Sequence, residues 1–162
     1  MTNKYAVIGN PIAHSKSPLI HQAFAKQCNQ DLLYTAELIA IDGIVQGLKQ
    51  LQADGLKGIN ITVPFKEQVW QLIDNKSELA TLAGAVNTVT FNDDGSLYGD
   101  NTDGIGLCRD LMDNHGIQLA NKRVLLLGAG GAARGVIQPL LKQNPAQLAI
   151  ANRTVSKAQD LV

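Results

Sequence analysis

Lys122-Arg123-Val124-Leu125-Leu126-Leu127-Gly128-Ala129-Gly130-Gly131-Ala132-Ala133 is the stretch whose reading decides the fold. It joins an aliphatic run, read as a buried parallel strand, to a glycine-rich turn and a helix reaching about Gln143. Gly128, Gly130 and Ala133 fit the G-x-G-x-x-G/A pattern. In that pattern the first glycine makes the tight turn and the second admits a pyrophosphate. The small third residue lets helix and strand pack closely. A bare match is weak; one placed between a strand and a helix has its confirming context. A second strand, Leu148 to Ala151, completes β-α-β. The segment therefore reads as the start of a Rossmann-type dinucleotide-binding domain.

The end of that second strand selects the cofactor. An NAD site commonly places Asp or Glu there, accepting from the ribose 2′-hydroxyl. Here the residues are Asn152-Arg153-Thr154, with Lys157 one turn on, and the next carboxylate is Asp160. Arg153 offers a planar fork of donors to a 2′-phosphate and Lys157 a second cation, so NADP is expected. The plain alternative is a pair of surface cations, and the missing acid counts against it.

Working back towards the N-terminus, the first hundred residues repeat the α/β alternation. Tyr5 to Gly9, Leu32 to Leu38 and Lys57 to Ile61 read as strands, with helices between them and a helix from Phe65 to about Ile73. Alternating strands and helices imply parallel pairing with right-handed crossovers. Asp42 is the expected cap of the second helix, and Gly55 its end. Ser77 to about Leu82 reads as a short helix closed by Gly84. Val86 to Phe91 and Ser96 to Tyr98 follow as a hairpin across Asn92-Asp93-Asp94-Gly95. The expected fold is α/β: a first domain, 1–101, with a mainly parallel sheet, then the opening of a Rossmann-type domain, 102–162.

Polar residues collect where strands end. Asn10-Pro11 breaks the first strand, and Ser15, Lys16 and Ser17 follow at a helix N-terminus, with Ser17 and Pro18 read as N-cap and N1. Two hydroxyls and a cation there suit a carboxylate or phosphate. In Asn60-Ile61-Thr62-Val63-Pro64-Phe65-Lys66, Pro64 stops the strand and leaves Asn60, Thr62 and Lys66 at its carboxyl end. In open α/β sheets that edge is where ligands bind. A lysine in a first helical turn opposes the helix dipole; the alternative is a solvated surface lysine. Ala85-Val86-Asn87-Thr88 opens a strand with an amide. Gly99-Asp100-Asn101-Thr102-Asp103-Gly104 leads into a helix to about His115, where Asp103 could be no more than a first-turn acid.

Composition limits the classes. The chain has 162 residues and is 45% hydrophobic, enough for a packed core. Its net charge is zero, so no global basic surface points to nucleic acid or membrane. The charge is uneven: 7 Lys/Arg against 10 Asp/Glu up to residue 101, then 7 against 4. The second part, at +3 rather than −3, suits an anionic ligand better. Cys28 and Cys108 stand alone in apolar helical patterns and read as buried thiols, not a disulfide or metal pair. The three histidines have no metal-ligand spacing, and no metal site is expected. With no signal peptide and no spanning apolar run, the expected compartment is the cytoplasm.

Taken together, these motifs resemble shikimate dehydrogenase. The likeness rests on Ser15-Lys16-Ser17-Pro18, the Asn60–Lys66 stretch, Gly84-Ala85-Val86-Asn87-Thr88, Gly99–Gly104, Gly128-Ala129-Gly130-Gly131-Ala132 and Asn152-Arg153-Thr154, in one order along the whole chain. The resemblance implies reduction of 3-dehydroshikimate to shikimate with NADPH, in aromatic amino-acid biosynthesis. It implies that Ser15 and Ser17 bind the substrate carboxylate. Thr62, Asn87 and Asp103 would hold ring hydroxyls, with Asn60 in the same pocket, and Lys66 would be the catalytic acid/base with Asp103 beside it. It places Glu78 with the cofactor, alongside the glycine turn, Asn152, Arg153, Thr154 and Lys157. The family continues for roughly a hundred residues more, so the chain is expected to be a truncated form with little or no activity, prone to self-association through open strand edges. An NAD-using quinate/shikimate dehydrogenase and a non-catalytic shikimate-binding fragment are the other readings.

Overall fold

The computed structural model describes residues 2–161. The chain separates into two compact units. One runs through Ser77 and adds Val86–Asp100; the other takes Glu78–Ala85 and everything from Asn101. The sequence reading places a single boundary after residue 101. The compact units instead take the short segment Glu78–Ala85 out of the first hundred residues.

The first unit contains β1 (Asn3–Gly9), α1 (Ser17–Gln27), β2 (Leu32–Leu38), α2 (Ile44–Ala53), β3 (Leu56–Ile61), α3 (Lys66–Leu72) and β4 (Asn75–Lys76). After α4 (Glu78–Ala83), which belongs to the second unit, come β5 (Thr88–Phe91) and β6 (Leu97–Asp100). They form a six-stranded sheet in the order β2-β1-β3-β5-β6-β4. β1 lies between β2 and β3, parallel to both, as the β-α-β-α-β alternation requires. The hairpin β5–β6 continues the sheet antiparallel, with Asn60 opposite Thr88 and Thr88 opposite Asp100. Because β1 has strands on both sides and covered faces, its whole apolar run is buried: Ala6 and Ile8 are 0% exposed and Val7 3%. Phe65, Val69, Ile73, Val86 and Val89 supply the other large core side chains.

The second unit adds α5 (Asp103–Arg109), β7 (Arg123–Leu127), α6 (Gly131–Leu141), β8 (Gln147–Ala151) and α7 (Val155–Gln159) to α4. β7 and β8 pair in parallel as a two-stranded sheet, Leu125 opposite Ala149. Val124 and Leu126 pack on Cys108, Leu119, Val136 and Leu140. Leu125 and Leu127 point the other way and are 62% and 75% exposed. α5 and α6 meet at glycines: a Cβ on Gly104 would lie 2.5 Å from the Gly135 carbonyl oxygen, so no side chain fits there.

Several local expectations need correction. Ser17 does not cap α1; Lys16 occupies the N-cap position without a side-chain cap, and Ser17 is the first helical residue. Its N–H instead donates to Ser15 Oγ at 3.3 Å, two residues earlier in the loop. Asp42 does not cap α2, whose N-cap is Gly43. Cys28 is exposed, because α1 ends at Gln27 and buries only Ala25; Cys108 is buried as expected. The helix from Asp103 reaches Asn114, close to the expected end at His115, with its last part, Asp110–Asn114, wound as a wider π turn. β4 carries too little pattern to be read from sequence, being two residues long.

Candidate active site

Parallel pairing puts the carboxyl ends of β1 and β3 at the same edge of the first sheet. The two loops that leave that edge are tied together. Asn10 N–H donates to the Val63 carbonyl at 2.9 Å, and Thr62 N–H to the Ile8 carbonyl at 2.9 Å. Asn10 Nδ2 reaches the Ile39 carbonyl beyond β2, also at 2.9 Å. The β1 loop then turns back through Ser15 N–H on the Ile12 carbonyl, leaving Ser15 and Ser17 half-buried at the start of α1.

Thr62 closes the β3 loop: its carbonyl accepts from Phe65 N–H at 3.0 Å, and Lys66 opens α3 half-buried. The fully buried Phe65 holds that turn in the core. The Lys66 carbonyl accepts from Val86 N–H at 2.9 Å, which fixes the segment entering β5 beside α3. Asn87 follows, 7% exposed, with its main chain locked between neighbours. Its N–H donates to the Asp100 carbonyl at 3.0 Å and its carbonyl accepts from Ile61 N–H at 2.8 Å. Because β5 is antiparallel to β3, Asn87 lies at the edge where the β1 and β3 loops emerge. Ser15, Ser17, Thr62, Lys66 and Asn87 thus share one end of the sheet.

Asn60 differs. Its Oδ1 accepts from Tyr34 Oη at 2.6 Å, and its Nδ2 donates to the Asn87 carbonyl at 3.3 Å and Thr88 Oγ1 at 3.2 Å. It also borders an open recess of about 710 Å³ on the sheet face, with Tyr5, His21, Tyr34 and Thr88. None of the other expected site residues lines that recess. The sequence reading missed Tyr34 and Thr88 as partners here. Tyr34 looks like an ordinary strand aromatic; Thr88, directly after Asn87, is the readable clue.

In the second unit, Asp103 is the first residue of α5, and its N–H donates to Asn101 Oδ1 at 3.2 Å. Asn101 is 1% exposed and donates to the Ala85 carbonyl at 2.9 Å, so a buried amide anchors the turn that presents Asp103. Glu78 is exposed at the start of α4.

The glycine turn has the shape its sequence demands. β7 ends at Leu127, Gly128 takes φ +111°, and Gly130 precedes α6. A Cβ on Gly128 or Gly130 would meet nothing within 4 Å, so the backbone faces open space where a pyrophosphate needs room. Gly128 N–H donates to the Ala151 carbonyl at 2.8 Å, tying the turn to the end of β8. Ala129 is buried, Gly131 half-buried and Ala132 exposed. After β8, Asn152 Nδ2 donates to the Thr154 carbonyl at 2.7 Å, closing a tight loop with Arg153, Thr154 and Lys157 exposed. These residues fit a phosphorylated dinucleotide: glycines for the diphosphate, two exposed cations for an extra phosphate.

A strand-edge cluster of hydroxyls, amide and lysine, followed by a β-α-β unit with a glycine turn, defines the class: a two-unit α/β protein whose second unit opens with a dinucleotide-type turn. Residues 7–89 match the family described as the shikimate dehydrogenase substrate binding domain, and residues 110–162 match shikimate / quinate 5-dehydrogenase. The chain belongs to the shikimate dehydrogenase family. It is 57% identical over 159 residues to a shikimate dehydrogenase (NADP(+)) of Vibrio campbellii, covering 98% of this chain and 57% of that protein. Among solved structures, the Ael1 enzyme of Pseudomonas putida superposes with TM-score 0.90 at 49% identity, covering 99% of this chain and 59% of that one. A shikimate 5-dehydrogenase of Thermus thermophilus, in complex with NADP(H) and shikimate, gives TM-score 0.89 at 34% identity, with the same coverage. The chain thus spans less than three-fifths of the length of these relatives. Among the described residues no helix is long and apolar enough to cross a membrane.

Proposed function

We propose that this chain carries the substrate pocket and the dinucleotide-binding turn of an NADP-dependent shikimate dehydrogenase, reducing 3-dehydroshikimate to shikimate in aromatic amino-acid biosynthesis. The observation that carries the reading is the gathering of Ser15, Ser17, Thr62, Lys66 and Asn87 at one edge of the six-stranded sheet. Ser15 and Ser17, at the start of α1, take the substrate carboxylate through hydroxyls and helix N–H groups. Thr62 and Asn87 hold ring hydroxyls, a role that the family resemblance also gives to Asp103. Lys66 donates the proton to the oxygen on which charge builds, an interaction strongest in the transition state. NADPH, when bound, supplies the hydride. Gly128 to Ala132 hold its diphosphate, Asn152, Arg153, Thr154 and Lys157 its 2′-phosphate side, and Glu78 completes the cofactor contacts.

Two finer assignments go with this reading. The free thiols Cys28 and Cys108 suit a reducing cytoplasm. The exposed Leu125 and Leu127 on a two-stranded sheet favour self-association, and a sheet of that size gives the cofactor weak support, so hydride transfer by this chain alone is expected to be slow.

Calorimetry with shikimate, and reduction of NADP followed by absorbance, test the proposal. Shikimate should bind, and Lys66→Ala should cut whatever turnover is measured by about 10²–10⁴-fold while leaving binding nearly unchanged. Near-normal turnover in that variant would return Lys66 to an ordinary surface lysine. Quinate binding tighter than shikimate would redirect the substrate assignment.

A further inference from the structure

Asn60 sits in the middle of a hydrogen-bond chain whose direction can be worked out. Tyr34, in β2, is 4% exposed. Its ring packs with Val7 of β1, and the His21 imidazole stacks on it at 4.0 Å with the two ring planes nearly parallel. The ring crosses β1, and the hydroxyl reaches Asn60 Oδ1 on β3 at 2.6 Å. Burial pushes the Tyr34 phenol well above its ordinary pKa, so it remains a proton donor across the working pH range.

The Asn60 amide cannot turn round. Its Nδ2 lies 3.3 Å from the Asn87 main-chain carbonyl, which can only accept. A flipped amide would set two acceptors against each other. The second Nδ2 contact goes to Thr88 Oγ1 at 3.2 Å, so that oxygen is an acceptor. The hydroxyl has one proton, and it goes to Asn87 Oδ1 at 2.8 Å. Every proton thus points the same way, from Tyr34 through Asn60 and Thr88 to the Asn87 side-chain oxygen.

We propose that this one-way chain orients the Asn87 carboxamide, and that Thr88 is the positioning residue that makes Asn87 a hydrogen-bond donor to the substrate. The Asn87 main chain is fixed on both sides by the sheet, and the Thr88 contact bears on its side-chain torsion. With Oδ1 held by Thr88, Asn87 offers Nδ2 to a hydroxyl oxygen of the substrate. Loss of the Thr88 hydroxyl removes this hold on Oδ1 and weakens the amide's preference for presenting nitrogen. Tyr34 acts at one remove, by keeping Asn60 in the orientation that spends the Thr88 lone pair rather than its proton. The inference rests on the assignment of Asn87 to substrate binding.

The test is a double-mutant cycle read by shikimate affinity on this chain. Thr88→Val keeps the shape and removes the hydroxyl; it should weaken binding about tenfold, while Thr88→Ser restores it to within about threefold. On an Asn87→Ala background, Thr88→Val should change affinity less than about twofold. Equal losses on both backgrounds would mean that Thr88 only supports the sheet and would overturn the proposal, as would no loss in the first. A ligand-free reading separates this from the substrate assignment. The Asn87 side-chain amide protons, followed by NMR, should exchange slowly in the unmodified protein and in Thr88→Ser, and quickly in Thr88→Val. If shikimate fails to bind but this pattern holds, the substrate assignment falls and the orienting role of Thr88 stands. If the amide is equally protected in Thr88→Val, the orienting role falls.

Discussion

β1 and β7 are similar sentences in different surroundings. Tyr5-Ala6-Val7-Ile8-Gly9 and Arg123-Val124-Leu125-Leu126-Leu127 are both short aliphatic runs that end in a glycine turn or break. In β1, Ala6, Val7 and Ile8 are all 3% exposed or less. In β7 burial alternates, and Leu125 and Leu127 stand 62% and 75% exposed. β1 is flanked by β2 and β3, while among the described residues β7 pairs only with β8. An aliphatic run therefore reports a capacity for two-sided burial; the neighbouring elements decide whether it is used. Backbone pairing without two-sided burial forms a sheet but contributes less to its stability.

Hydrogen exchange is the bluntest way to break that comparison. Amides of residues 5–61 should be protected about a hundredfold or more beyond those of residues 124–151, because opening free energies follow local burial. Equal protection in a dilute monomer would show that the two-stranded sheet is held as firmly as the six-stranded one.

Truncation of matched side chains sharpens it. Ile8→Ala removes a fully buried side chain and should destabilise the first unit by about 2–5 kcal/mol in denaturant unfolding. Leu127→Ala removes one that is 75% exposed, and should fall within about 0.5 kcal/mol of the parent. A large cost at Leu127 would mean that this face is covered in solution, by self-association for instance, and repeating the measurement at lower concentration would reveal it.

The comparison also locates what could be read from sequence. The β-α-β order, the parallel pairing of β1 with β2 and β3, and the glycine turn after β7 were legible because hydrophobic period, Pro64 and Gly128 are local signals. The strand-edge position of Ser15, Thr62 and Lys66 followed from the same signals. Helix caps were misread at Ser17 and Asp42, since a capping side chain competes with loop hydrogen bonds that only the fold supplies. The Tyr34–Asn60–Thr88–Asn87 chain was invisible because it joins β2, β3 and the start of β5, which are neighbours only in space. The asymmetry between β1 and β7 was hidden for the same reason.

The two units should also divide the enzymology. Lys66 in the first unit is expected to act on turnover, whereas Arg153 in the second should act on cofactor choice. Arg153→Ala should reduce the preference for NADP over NAD by about tenfold, the worth of one charge-assisted contact, without altering shikimate affinity. Equal affinity for NAD and NADP before mutation would remove the role given to the Asn152-Arg153-Thr154 loop.

The smallest expected effect is a pH dependence confined to the first unit. His21 stacks on Tyr34 and meets Phe24 edge-on, and burial among these rings holds its pKa below the usual histidine value of 6.5. Well above 6.5 the imidazole is neutral both folded and unfolded and contributes no pH dependence. As the pH falls below 6.5, the unfolded chain takes up the proton first, so the folded state loses stability until the pH passes the lowered folded value. His21→Phe keeps an aromatic ring over Tyr34 and removes the titration. The melting temperature of the first unit should therefore decline less steeply between neutral and mildly acidic pH in His21→Phe than in the parent. Carboxylate titration is common to both proteins and cancels in the difference. Exchange of the β7–β8 amides should show the same pH response in both, because His21 lies in the other unit. Identical melting profiles would mean that the stacked imidazole is solvated well enough to take up its proton without penalty.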